Sequence, residues 1–256
     1  MRVTLLFLLL SGAISAATPP TTVEVLRLTG KSLEGFWDEL SAVNCVERVH
    51  QVKLAPNGKV VYKQESSFDY LVLLQLAGNE ILVDESRAPL KQVEEKKDVP
   101  LLITNGFSTL AFIFHPVFQS AFEYSAPEPA ELDGASLLQV RFRHVPGARS
   151  PTVLRLRQRD YPVEWQGTAW IDPASGAIVR IAVELMSSME DIGLKRLTAD
   201  VRYAPVDFKG QPGEHWLPET ATIEVETARQ HWRNQHTFAG YRVFSVDVKT
   251  NVETPK

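Results

Sequence analysis

The chain has 256 residues with 27 basic and 31 acidic side chains, a formal charge of −4. That balance suits solubility and argues against nucleic acid as the main partner. A single cysteine, Cys45, excludes an intrachain disulfide, and about 240 residues beyond a leader suffice to bury roughly 70–75% of the unfolded surface in one domain.

Residues 1–17 read as a secretory signal peptide. Arg2 supplies the positive start, Val3 to Leu10 the short apolar run, and Ser15-Ala16-Ala17 a small-residue cleavage site, with Ala13-Ile14-Ser15 as an alternative. The run is too short to span a bilayer, which needs about 20 residues, and no later segment comes close. The chain is expected to be exported, to the periplasm or beyond, with residues 18–256 as one domain. No cysteine stands at the cleavage site for a lipid anchor, and no Asn-x-Ser/Thr sequon occurs, which favours a bacterial envelope.

Thr18 to Thr22 form a polar lead-in, and Ser32 is placed to cap a helix over 33–42. Leu33, Phe36, Trp37 and Leu40 mark its apolar face. Strands are predicted at 45–54 and 59–65 around the turn Pro56-Asn57-Gly58. In 68–76, Tyr70, Val72 and Leu74 share one face while Leu71 and Leu73 take the other, as in a strand covered on both sides. Gly78-Asn79 turns the chain into 80–85, and 86–98 reads as charged and irregular.

Residues 106–122, GFSTLAFIFHPVFQSAF, break the strand pattern and carry five of the twelve phenylalanines. Phe107, Leu110, Phe114, Phe118 and Phe122 recur at steps of three or four, on one helical face. Pro116 forbids one straight helix, so a helix near 106–114 and a second turn begun by Pro116 are expected. Such a stripe builds an ordinary core or lines a cavity for a greasy ligand. Ala126 to Asp133 reads as a loop, and strands are predicted at 137–145, 152–159, 165–172, 177–186, 196–204, 216–226 and 231–247, the last broken near Gly240. Asp172 to Gly176 is a hairpin turn.

Catalytic signatures are missing: no nucleophile elbow, P-loop, dinucleotide fingerprint or zinc-protease motif occurs. No enzyme activity, metal or other cofactor is expected. His231 and His236 are the closest histidine pair, and their odd separation puts them on opposite faces of one strand. Glu224 and Glu226 share one strand face, which reads as a solvated outer face. Between 141 and 159 lie six arginines and no acid. Arg141 and Arg143 share one strand face, and Arg155, Arg157 and Arg159 share a face of the next. If these strands pair across VPGARSP, the two rows meet. They then either face water beside acids such as Asp200, Glu224 or Glu226, or dock anionic head groups or an acidic partner.

The leader, an early amphipathic helix, long strands, a helical insert and a final meander resemble the LolA/LolB-like periplasmic lipoprotein carriers. TAWIDPASGAIVRI at 168–181 looks like a strand–turn–strand hairpin of that superfamily. QESSFDYLVLLQL, FRHVPGARSPTVLRLR and ETARQHWRNQHTF are similar in feel to exported bacterial proteins on that fold. The resemblance implies a mainly β, β-rich α+β fold: a large antiparallel, half-open curved barrel with a few helices capping an apolar concave face. Its ligand would be a lipid or acylated group, held in an apolar cleft by Phe107, Leu110, Phe114, Phe118, Phe122 and Trp170. Arg48 is the nearest position to the carriers' gating arginine. An envelope protein partner and peripheral membrane contact through the arginine rows fit the same picture, with no transmembrane segment. The rival reading is a protein-interaction or sensor module with a packed interior, docking through its arginine-rich face.

Overall fold

Residues 19–77, 80–91, 105–156, 159–209 and 211–243 are described in a computed structural model. The first element, α1 (Thr22–Ser41), starts from a capping box. The Glu24 N–H donates to the Thr21 hydroxyl, and the Thr21 N–H donates to the Glu24 carboxylate at 2.7 Å. The helix therefore begins well before the expected Ser32 cap, inside the presumed lead-in. Val25, Thr29, Leu33, Phe36 and Leu40 then form one buried stripe.

Thirteen strands follow: β1 (Val43–Leu54), β2 (Val60–Ala77), β3 (Glu80–Pro89), β4 (Phe122–Tyr124), β5 (Glu128–Leu132), β6 (Ala135–His144), β7 (Val153–Leu156), β8 (Arg159–Pro162), β9 (Trp165–Ile171), β10 (Ile178–Leu185), β11 (Leu194–Phe208), β12 (Gln211–Thr227) and β13 (His231–Val243). Eleven of them build one antiparallel sheet in the order β3-β2-β1-β13-β12-β11-β10-β9-β6-β4, with β5 also on β6. Among the described residues the sheet is not closed into a barrel, so the half-open antiparallel architecture holds. β1 pairs with β13, which brings the first and last of these strands together in mid-sheet.

Several local expectations change. The two strands read at 59–65 and 68–76 are one, β2, because Ser66 and Ser67 stay in the ladder opposite Val49 and Arg48 of β1. Tyr70, Val72 and Leu74 are buried while Leu73 is 37% exposed, so β2 is covered on one side only. The chain read as irregular from 86 stays in β3 to Pro89, and the presumed loop 126–133 contains β5. Strand 137–145 does not pair with 152–159. β6 pairs instead with β9, setting Arg141 opposite Thr168 and Arg143 opposite Gln166, while β7 pairs with β8 in a separate hairpin. A pairing of those two strands would have set two arginine rows side by side, and like charges across a ladder destabilise it.

The Asp172–Gly176 turn forms as expected. The Asp172 carboxylate accepts the N–H groups of Ala174 and Ser175 at 3.0 and 2.7 Å. Gly176 has φ +75°, and a Cβ there would fall 2.7 Å from the backbone of Leu28, so the bare glycine lets α1 rest on the turn. Gly193 has a similar φ, +72°, but open space around it. Gly176→Ala is expected to lower the urea-unfolding free energy by about 2–4 kcal/mol. Gly193→Ala, with only the backbone penalty, should lose about 1–2 kcal/mol. Equal losses would mean that α1 does not press on the turn.

Candidate functional site

The chain leaves the sheet at the β3 edge and re-enters at β4, on the opposite edge. The described part of that connection lies across the concave face. Phe107–Phe114 is a 3-10 helix whose eight residues are all buried, and Pro116 opens a single α-helical turn, α2 (Pro116–Gln119). The expected helix and second turn are both present, with the first wound more tightly than an α-helix. A 3-10 run of this length is unusual, because its hydrogen-bond geometry is poor.

Hydroxyls and one amide from the surroundings hold it. The Tyr203 hydroxyl donates to the Ser108 carbonyl at 3.0 Å and accepts from the Ala111 N–H at 3.3 Å. The Tyr124 hydroxyl donates to the Ile113 carbonyl at 2.6 Å, and Tyr70 and Ser108 share a 2.9 Å hydrogen bond. Gln119 donates to the carbonyls of Phe114 and Leu26, tying α2 to α1.

Phe107, Leu110, Phe114, Phe118 and Phe122 are brought together, all between 0 and 7% exposed. They fill the hollow of the sheet. Phe114 packs edge-on against Phe142 at 5.4 Å, Phe122 against Phe142 at 5.9 Å, and the Arg149 guanidinium lies over Phe118. Trp170 does not join them. Ala169 and Ile171 take the inner side of β9, so Trp170 faces outward, under the Arg180 guanidinium at 4.6 Å. Phe112 and Ile113, off the 3.6-residue stripe, are as buried as the others. Their signal was in the run Leu110–Phe114, which is apolar at every position.

A buried charged cluster anchors the start of this plug. Glu47 on β1 is fully buried and accepts from Arg87 on β3 at 2.5 and 3.0 Å and from His236 on β13 at 2.7 Å. Arg87 also meets Glu85 at 3.0 Å, donates to the Asn105 side chain, and lies over the Tyr70 ring. Glu85 accepts the Gly106 N–H at 2.6 Å, at the first turn of the plug. Burial pushes the Glu85 carboxyl above its ordinary range, against the pull of Arg87 and Gly106. Burial acts the same way on Glu47, but the hydrogen bonds from His236 and Arg87 outweigh it and hold that carboxyl low. Alternation along β1 explains why Arg48, the position first compared with a gating arginine, is exposed on the outer face while Glu47 is inside. Charged residues at inward positions of two strands were the available signal for Glu47 and Arg87.

The outer face is polar. Arg141 pairs with Glu128 at 2.7 Å, and Arg143 and Arg159 are exposed. The side chain of Arg155 and all of Arg157 lie outside the described residues. The acids expected to serve these rows serve other arginines: Asp200 pairs with Arg180, and Glu224 with Arg196, Arg233 and His231. His231 faces outward and His236 inward, as their spacing requires. Cys45 is buried, which pushes its thiol up to about 12 and away from nucleophilic use. Among the described residues no three side chains converge as metal ligands, and no helix is long and apolar enough to cross a membrane.

Glu85 holds its proton more tightly in the folded chain than at the ordinary 4.5, so its contribution to stability falls as pH rises above that value. Glu47 is displaced the other way, and its contribution is lost only as pH falls below 4.5. Glu85→Gln is expected to flatten the decline in unfolding free energy as pH rises above 4.5. An unchanged slope would exonerate Glu85. Arg87→Met, which strands two buried carboxylates, should destabilise by about 3–5 kcal/mol at neutral pH in the same urea titrations.

Neither a family model nor a curated protein matches the sequence. Among solved structures, a DUF1329 family protein from Desulfovibrio piger is similar at 12% identity and a TM-score of 0.43, covering 91% of this chain and 95% of its own. A putative outer membrane lipoprotein-sorting protein domain from Vibrio parahaemolyticus is similar at 9% identity and a TM-score of 0.38, covering 89% and 93%.

Proposed function

We propose that the chain is an exported, non-catalytic binding protein of the bacterial envelope that takes a lipid or lipidated ligand on the concave face of its sheet. Segment 107–119 would be the plug that the ligand displaces. The observation that carries this reading is the plug itself: eight buried residues in a 3-10 winding, laid over an apolar sheet face in place of a second sheet. The energetics allow exchange. Each displaced phenylalanine gives up roughly 1.5–3 kcal/mol, and an acyl chain recovers about 0.8 kcal/mol per methylene in the same environment. The polar latch then sets how readily the plug leaves, because Glu85 and Arg87 grip its first turn.

A second reading is favoured by a specific observation: the interior is filled by Phe112, Ile113 and Phe114, each 2% exposed or less. A filled interior suits an interaction or sensor module. Such a module would dock an envelope partner or an anionic surface through Arg141, Arg143 and Arg159, with Arg155 and Arg157 from the same stretch.

Native mass spectrometry after mild extraction should detect co-purifying lipid, and anthroyloxy-labelled stearate should bind saturably. Tyr203→Phe removes two hydrogen bonds to the plug without changing its packing. Under the carrier reading it should tighten stearate binding about three- to tenfold, by raising the open population. A variant that is merely less stable, in a protein that ignores stearate and carries no lipid, would leave the interaction module as the function.

A further inference from the structure

The outer face of the sheet carries a depression of about 530 Å³ across β2, β1, β13 and β12. Its floor is ordered by strand register. Ser67, Arg48, Thr237 and Thr220 lie in one cross-strand row. Two residues along, His50, Gln235 and Thr222 form a second row, with Glu65 beside His50 at 3.4 Å. At normal strand spacings the two rows span about 14 by 7 Å, room for one or two sugar rings. The volume also falls in the usual range for small-molecule sites, about 300–1,000 Å³.

The charge pattern singles out Arg48. The outer-face arginines around it are neutralised: Arg180 by Asp200, Arg202 by Asp133, Arg233 by Glu224 and Arg242 by Asp69. Arg48 is exposed and makes no ion pair with another described residue. The hydroxyls of Ser67, Thr237, Thr220 and Thr222 likewise make no hydrogen bond to another described residue. A guanidinium offers a planar fork that matches a phosphate or carboxylate. Hydroxyls and a carboxamide both donate and accept, so they match a polyhydroxylated ring and not a hydrocarbon.

We propose that this depression binds an anionic saccharide. Arg48 grips its phosphate or carboxylate, and Ser67, the three threonines and Gln235 hydrogen-bond its ring hydroxyls. The site lies on the opposite face of the strands from the plug, so it stands or falls independently of acyl-chain binding.

Isothermal titration of the purified protein with glucose 6-phosphate, glucuronate, glucose and inorganic phosphate tests it. One of the two anionic sugars should bind saturably, at least about tenfold tighter than glucose or phosphate alone. Arg48→Gln should weaken that binding at least about tenfold, and Thr222→Val about three- to tenfold, with the melting temperature unchanged. Stearate binding should be unaffected in both variants. Absence of binding by both anionic sugars, binding retained in Arg48→Gln, or phosphate binding as tightly as the sugars would each overturn the proposal.

Discussion

A chain that ends β3 at one edge of an open sheet and resumes at β4 on the other must cross one of the two faces. The inner face is the apolar one, lined by Tyr70, Val72, Phe238, Val201, Ile181 and Phe142. A crossing segment there has to tolerate burial on every side, and Phe107–Phe114 does so with six apolar residues and two hydroxyls that are hydrogen-bonded, Ser108 and Thr109. The same crossing removes the need for a second sheet. A sheet of this size usually buries its inner face against another layer. Here the layer is one helix, one 3-10 helix and one further turn. α1, about 30 Å long at the normal helical rise, reaches from Ser125 at the β4 end to His215 on β12.

The crossing also creates a polar problem. A segment over a sheet face cannot join the ladder, so its carbonyl and N–H groups need other partners. Two tyrosines rooted in β4 and β11 serve that need, with the hydroxyls of Tyr124 and Tyr203 bonded directly to plug backbone, while Tyr70 on β2 holds the Ser108 hydroxyl. At the entry point the answer is ionic. Glu85 takes the first N–H of the plug, and a buried carboxylate then requires a cation, which Arg87 supplies while also serving Glu47. Removing one member of such a cluster costs more than the cluster contributes as a whole, because the remaining charges stay buried. The apolar stripe fixes that the plug is inside; the polar groups fix its register.

Period-2 alternation made most strands legible, and the turn chemistry of Asp172–Gly176 was readable residue by residue. The start of α1 was missed because Ser32 and Thr21 are both acceptable caps, and only the reciprocal Glu24 contact distinguishes them. The partner of β6 was missed because pairing is non-local. Two neighbouring runs in sequence look like a hairpin until the charge rows are set side by side. The resemblance puts Trp170 in the cleft, although the alternation of Ala169, Trp170 and Ile171 assigns it outward. Glu47 and Arg87 lie 40 residues apart, and nothing local to either announces the other. What was locally visible was a charge at an inward strand position, and a buried charge implies a partner.

Adjacent residues on one strand have opposite circumstances here. Glu47 is fully buried on the inner face with two cationic or hydrogen-bonding partners; Arg48 is exposed on the outer face. Because β1 is hydrogen-bonded on both sides, to β2 and β13, it cannot turn to exchange them without a register slip that would also invert Cys45 and Val43. The two faces are therefore fixed chemically, one dry and one wet, and any ligand must match one or the other. Hydrocarbon entering the dry side has to compete with phenylalanines of similar transfer energy, so its affinity depends on how weakly the tyrosines and Glu85 hold the plug. A hydroxylated anion on the wet side competes only with water, so its affinity depends on the number of direct hydrogen bonds. On the two proposals, a ligand on the dry side would be governed by a conformational equilibrium and one on the wet side by local contacts.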